Sequence, residues 1–227
     1  MTFVFPPPAP VSLPVKGRED RFPVRRIFCV GRNYEEHARE MGADTKEPPF
    51  FFTKPADSLV TGNAAIAYPS ATEDLHHEAE LVVALGQGGR NIPAEAASAL
   101  IWGFAPGNDL TRRDMQAQAK SQRRPWDMSK GFDQSAPCGD IVPVAECGLM
   151  ASGRIHCTVN GETRQDGNLA DMIWDVPHVI AYLSTLVELQ PGDLIFTGTP
   201  AGVGPVARGE TVRVEIDGLG AVETKIG

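Results

Sequence analysis

Residues 77–86 read HEAELVVALG, and this segment constrains the fold more than any other in the chain. Its apolar residues recur with period two, the spacing of a β-strand. Ala79, Leu81, Val83 and Leu85 therefore share one face, while Glu78, Glu80, Val82 and Ala84 share the other. Two carboxylates point the same way from a strand whose opposite face belongs to the core. The 23 glycines and 19 prolines, 42 of 227 residues, favour short strands joined by many sharp turns over a helical bundle.

The remaining patterns agree. Residues 26–30 (RIFCV), 50–53 and 193–199 read as strands, and residues 154–165 and 211–226 as hairpins turning on Asn160-Gly161 and Asp217-Gly218. Helices are predicted over 34–41 behind Asn33, over 92–102 opening at Pro93, over 111–122 behind Thr111, and over 175–186 behind Asp175. Residues 43–49 read as a polar, proline-rich loop. The prediction is a mixed α/β, strand-rich chain with an extended proline-rich N-terminal arm over 1–20 and a single catalytic domain over 21–227.

Charge narrows the partners. Twenty-one Lys and Arg against 29 Asp and Glu leave a net charge of -8, the wrong sign for gripping nucleic acid or an anionic bilayer. Small molecules and metal ions are the partners that remain. Cys29, Cys138, Cys147 and Cys157 form no CxxC pair and no disulfide framework, which points to a reduced, cytoplasmic setting. The prolines at 6, 7, 8, 10 and 14 break any signal-peptide core, and no stretch approaches the length of apolar sequence that crosses a membrane.

Two acids at i and i+2 of a strand, joined by a third, suit a hard divalent cation that wants oxygen ligands and keeps open positions. Asp109, in the sequence GND ahead of a helix, is the best-placed third acid, since a glycine there lets backbone and metal approach closely. On spacing alone the pair is equally a solvated sheet face. His76 shares that face but is a poorer ligand for a hard cation. His37 and Glu40, three apart on a short helix, can form a general-base pair or an ordinary surface pair. Lys130, in MSKGFD, can polarise a carbonyl, bind a carboxylate or face solvent. The glycine-rich run 197–204 (TGTPAGVG) lacks a phosphate-loop lysine and suits a pocket wall around a small anion. No GxSxG elbow occurs, and no cysteine has a motif partner for nucleophilic catalysis.

Taken in order, VGRNYEEHAREM, FFTKPADSLV, HHEAELVVALG, GFAPGNDLTRRDMQ, MSKGFD, LQPGDLIFTGTPAGVGPV and EIDGLG resemble the fumarylacetoacetate hydrolase family from residue 26 to the C-terminus. The resemblance implies that family's β-roll with short flanking helices, a homodimer, and Glu78, Glu80 and Asp109 as ligands of Mg²⁺ or Mn²⁺, with Ca²⁺ able to replace them in crystals. It implies that His37 and Glu40 activate water, that Lys130 acts near the scissile carbonyl, and that Arg32, Lys54, Gln116 and Thr199 surround an oxo-acid. The implied reaction is hydrolysis of a C–C bond in an acylpyruvate, fumarylpyruvate giving fumarate and pyruvate in gentisate-type aromatic breakdown. The distal carboxylate of that substrate needs a cation, for which Arg123 or Arg124 is the candidate. The same scaffold also implies oxaloacetate decarboxylation or dienoate isomerisation as alternatives, and a non-catalytic oxo-acid binder as a further one.

Overall fold

The structure is a computed structural model, and it describes residues 2–36 and 48–227. Among the described residues two sheets dominate. The larger has the strand order Phe50–Lys54, Arg26–Gly31, Asp193–Phe196, Ala79–Leu85, Ile101–Asn108, Ala136–Cys138, Leu59–Thr61, with Val142–Pro143 also paired to Ile101–Asn108. The smaller runs Glu162–Asn168, Arg154–Val159, Thr211–Ile216, Gly220–Ile226, Ala64–Ile66. Thr111–Arg112, Leu75–His77 and Gly204–Pro205 form a three-stranded ribbon in that order. The strand-rich mixed α/β prediction is met, with antiparallel pairs predominating and parallel ones where Asp193–Phe196 meets Arg26–Gly31, Ala136–Cys138 meets Leu59–Thr61 and Gly220–Ile226 meets Ala64–Ile66.

The strand Ala79–Leu85 is buried at every position, not on one face only. Leu81, Val83 and Leu85 pack into a large cluster with Ile155 and Val214 of the smaller sheet and Val179, Ile180 and Leu183 of the helix Val176–Leu186. Val82 and Ala84, on the face that carries the acids, pack into a second cluster with Leu13, Val15, Phe22, Ile27 and Phe196. The N-terminal segment makes the difference. Ser12–Pro14 pairs antiparallel with Arg21–Pro23, and Ile141 and Pro14 share a backbone hydrogen bond of 2.9 Å, so this ribbon covers the sheet. Each of its fully buried side chains, Leu13, Val15 and Phe22, stabilises the fold by about 1.5–3 kcal/mol.

Helix ends moved where pairing outweighed propensity. The alanine-rich stretch forms only the helix Ala94–Ala97 and a 3₁₀ turn, because Ile101 pairs with Leu85 and starts the strand Ile101–Asn108. Thr111 joins the short ribbon and not a cap, so the next helix is Arg113–Ser121. Asp175 caps Val176–Leu186 as predicted, accepting from the His178 N–H at 3.0 Å.

Candidate metal centre and substrate cavity

The end of the Ala79–Leu85 and Ile101–Asn108 ladder assembles the three acids. Glu80 lies opposite Gly107, the Asp109 N–H donates to the Glu78 carbonyl at 2.8 Å, and the Glu78 N–H donates to Asn108 Oδ1 at 3.0 Å. One carboxylate oxygen from each of Glu78, Glu80 and Asp109 lies within 4.8 Å of the other two, and all three residues are buried. The glycine of GND serves a purpose other than metal approach. A Cβ on Gly107 would stand 2.5 Å from Val82 Cγ2 and 2.8 Å from Phe196 Cε1, so core side chains fill the space it leaves.

Cations neutralise part of this cluster. Lys130, at the end of the short helix Asp127–Lys130, donates to Glu78 Oε2 and Asp109 Oδ2 at 2.7 Å each. Burial alone would lower the Lys130 ammonium, but Asp109 and Glu78 outweigh it and hold it charged. Arg113, in the first turn of Arg113–Ser121, donates to the other Glu78 oxygen and to Gln116 Oε1, the latter at 2.6 Å.

Two oxygens keep capacity for a metal. Lys54 lies 2.8 Å from Asp109 Oδ1, yet its three ammonium protons are used on the carbonyls of Leu110, Lys130 and Ser135. Asp109 Oδ1 therefore stays buried without a hydrogen bond. Glu80 accepts the Gly198 N–H at 2.8 Å, and among the described residues no cation pairs with it. Burial, with Asp109 and Glu78 alongside, pushes its carboxyl well above the usual carboxylate range. A hard divalent cation would relieve both conditions, so the donor set fits Mg²⁺ or Mn²⁺.

The cavity over the acids is walled by Arg32, Phe52, Arg113, Gln116, Trp126 and Thr199, with Lys130 at its base. Gln116 and Thr199 are buried polar residues that line it. Arg32 adopts a left-handed backbone (φ 61°), and its guanidinium lies 5.3 Å from the Phe50 ring and 6.0 Å from that of Trp126, with Nε buried and without a hydrogen-bond partner among the described residues. Such strain concentrates where function requires a direction that ordinary backbone does not give. Lys54 sits behind Asp109, away from these walls. Arg123, at φ 53°, and Arg124 are exposed and are not among the residues that line this cavity. His37 and Glu40 lie outside the described residues.

Sequence reasoning missed Arg113, Phe52 and Trp126. It also weighed His76 as a ligand, whereas the structure gives it to Arg113. The Arg113 Nε–H donates to His76 Nδ1 at 3.3 Å, so His76 Nε2 carries the proton given to Asp74 Oδ1 at 2.9 Å. Burial and the adjacent Arg113 lower the His76 pKa, in keeping with a neutral ring. The only sequence signal for Arg113 is its spacing, four residues after Asp109 in the first turn of a helix.

Known proteins match this architecture closely. The model of the fumarylacetoacetate (FAA) hydrolase C-terminal family matches residues 26–227. The mitochondrial oxaloacetate decarboxylase of Dictyostelium discoideum is 42% identical over 86% of this chain and 90% of its own. The fumarylpyruvate hydrolase of Ralstonia sp is 42% identical over 80% of this chain and 94% of its own. Among solved structures, fumarylpyruvate hydrolase from Pseudomonas aeruginosa in complex with Mn²⁺ and pyruvate superposes with a TM-score of 0.98 at 49% identity, covering 99% of both chains. With its acid cluster, its family match and these relatives, the chain belongs to the fumarylacetoacetate hydrolase family, as an enzyme acting on carbon–carbon bonds.

Proposed function

We propose that the protein is a divalent-metal-dependent acylpyruvate hydrolase that cleaves fumarylpyruvate to fumarate and pyruvate. The observation that carries this reading is the buried Glu78, Glu80 and Asp109 cluster beneath a cavity whose other polar walls are donors and cations. Support comes from the Pseudomonas enzyme, whose bound Mn²⁺ and pyruvate are a metal and one product of that reaction. Mg²⁺ or Mn²⁺ on the three acids would supply Lewis-acid polarisation of the 2-oxo acid and stabilise the negative charge that develops as the bond breaks.

The chain's own groups divide the rest. Arg113 and Gln116 orient the 2-oxo acid, and Arg32 takes the distal carboxylate. Lys130 donates to the oxygen of the carbonyl under attack. His37, held by Glu40, takes a proton from water as its oxygen adds to C4. The C3–C4 bond then breaks, its electron pair staying with the pyruvate fragment, which is protonated at C3. A cytoplasmic homodimer working in gentisate-type aromatic breakdown belongs to the same proposal, as does a single catalytic domain over residues 21–227.

The Dictyostelium relative favours a second reading, oxaloacetate decarboxylation, which needs no hydrolytic water. The two separate in one experiment. Purified protein with Mg²⁺ or Mn²⁺ is offered fumarylpyruvate, maleylpyruvate, acetylpyruvate and oxaloacetate, and products are identified by chromatography. Fumarate and pyruvate from the first substrate, fastest of the four and lost in His37→Ala, is the expected result. Oxaloacetate as the fastest substrate, with His37→Ala fully active, would transfer the assignment to the decarboxylase.

A further inference from the structure

The strand Glu162–Asn168 is an edge of the smaller sheet and faces solvent along most of its length, yet Gln165 within it is only 1% exposed. A β-bulge accounts for this. Thr163 lies opposite Thr158 and Gln165 opposite Cys157, which leaves Arg164 as the extra residue. Without that insertion Gln165 would face His156, on the outward side; the bulge turns it inward beside the buried Cys157. The loop that carries Thr199 is seated on the same bulge. A Cβ on Gly202, where φ is +92°, would stand 2.2 Å from the Arg164 carbonyl oxygen.

The hydrogen bonds of Gln165 have one self-consistent orientation. Its amide group lies 2.8 Å from the Pro200 carbonyl oxygen on one side and 3.0 Å from the Ala79 N–H on the other. A carbonyl only accepts and a backbone N–H only donates, so Nε2 faces Pro200 and Oε1 faces Ala79. His77 Nδ1, 3.0 Å from that Oε1, then carries the ring proton, leaving Nε2 a bare lone pair. That atom is buried and has no hydrogen-bond partner among the described residues, so His77 spends its one proton on Gln165. The second Nε2 proton of Gln165 goes to Thr199 Oγ1 at 2.7 Å. Because the Thr199 hydroxyl accepts there, its own proton is left to donate, and no acceptor for it lies among the described residues. Thr199 is 2% exposed and walls the cavity beside Glu78, Glu80, Arg113 and Gln116.

We infer that Gln165, fixed in orientation by the Ala79 N–H and the Pro200 carbonyl, is a positioning residue that turns the Thr199 hydroxyl into a hydrogen-bond donor toward an anionic oxygen of a bound 2-oxo acid. This rests on the cavity being the oxo-acid site proposed above. A purely structural Gln165 would tie the loop to the sheet and leave the Thr199 contribution to ligand affinity independent of its own. A positioning Gln165 couples the two.

The test is calorimetric binding of oxalate, a stable dianion resembling the carboxylate end of a 2-oxo acid, to the Mn²⁺-loaded protein. Wild type, Thr199→Val, Gln165→Met and the double variant are compared, with Mn²⁺ affinity measured for each. Each single change weakens oxalate about tenfold, the double change is no weaker than about the same tenfold, and Mn²⁺ affinity stays constant. Losses that multiply to about a hundredfold, or a single variant that binds oxalate as the wild type does, overturn the inference. If Gln165→Met does not fold, Gln165→Glu, which can still accept from His77 and Ala79, takes its place under the same criteria. Wild-type turnover of fumarylpyruvate is read separately. Its absence with the coupling intact counts against the substrate and leaves the role of Gln165 standing.

Discussion

Replacing Lys130 with methionine is the sharpest way to expose the energetics of the acid cluster. In the metal-free protein the Lys130 ammonium is 2% exposed and holds Glu78 and Asp109 at 2.7 Å each. Methionine keeps much of the volume and removes one of the two cations beside each carboxylate, leaving Arg113 on Glu78 and Lys54 beside Asp109. Breaking a buried pair from one side costs about 3–5 kcal/mol. For a chain of this length each kcal/mol moves Tm by about 2–4 °C, so metal-free Lys130→Met should melt roughly 6–20 °C below wild type. Mn²⁺ at a hundred times its Kd contributes about 2.7 kcal/mol of stability. Because the variant lacks a positive charge beside the site, Mn²⁺ binds it more tightly and raises its Tm by more than it raises that of wild type. Differential scanning calorimetry with and without Mn²⁺ reads both effects. A metal-free variant melting within about 2 °C of wild type, or one that Mn²⁺ stabilises less than wild type, refutes the reasoning.

Arg113→Met should lower kcat/KM for fumarylpyruvate by about 10–100-fold, since it removes charged hydrogen bonds at the cavity wall, whereas Arg123→Ala with Arg124→Ala should leave KM within about twofold; steady-state kinetics showing the reverse order would remove Arg113 from the site. Thiol chemistry checks the packing. Cys29, Cys138 and Cys157 are buried, and burial pushes the Cys157 thiol up to about 12, so at most the half-buried Cys147 should react with a disulfide reagent at pH 8 before unfolding. Rapid native-state reaction of two or more thiols would contradict the two clusters described above.

The acid pair was legible from period two, although the strand begins only at Ala79 and Glu78 lies in the break after Leu75–His77, from where its carboxylate still meets those of Glu80 and Asp109. Long-range pairing set what local pattern could not reach. Thr111 and Arg112 look like the start of a helix, but they pair with Leu75–His77, and that shift brings Arg113 into the first turn facing Glu78. The burial of Val82 and Ala84 depends on a ribbon far away in sequence whose proline spacing read as an open arm. Gln165 was hidden for a different reason, since a bulge breaks the alternation from which strand faces are read. Lys54 shows a limit of motif matching. The resemblance implied a place around the oxo-acid, but three backbone carbonyls take its protons and it is not among the residues that line the cavity.

If a divalent cation on Glu78, Glu80 and Asp109 makes this chain the fumarylpyruvate hydrolase proposed above, a metal titration shows it. Protein stripped of metal by chelation is supplied with fumarylpyruvate, and pyruvate release is followed as Mn²⁺ is added. The account predicts no release without metal, activity rising in proportion to Mn²⁺ up to one ion per chain, and neither binding nor activity in Asp109→Asn. Undiminished pyruvate release from the stripped protein, or full activity in Asp109→Asn, would contradict it.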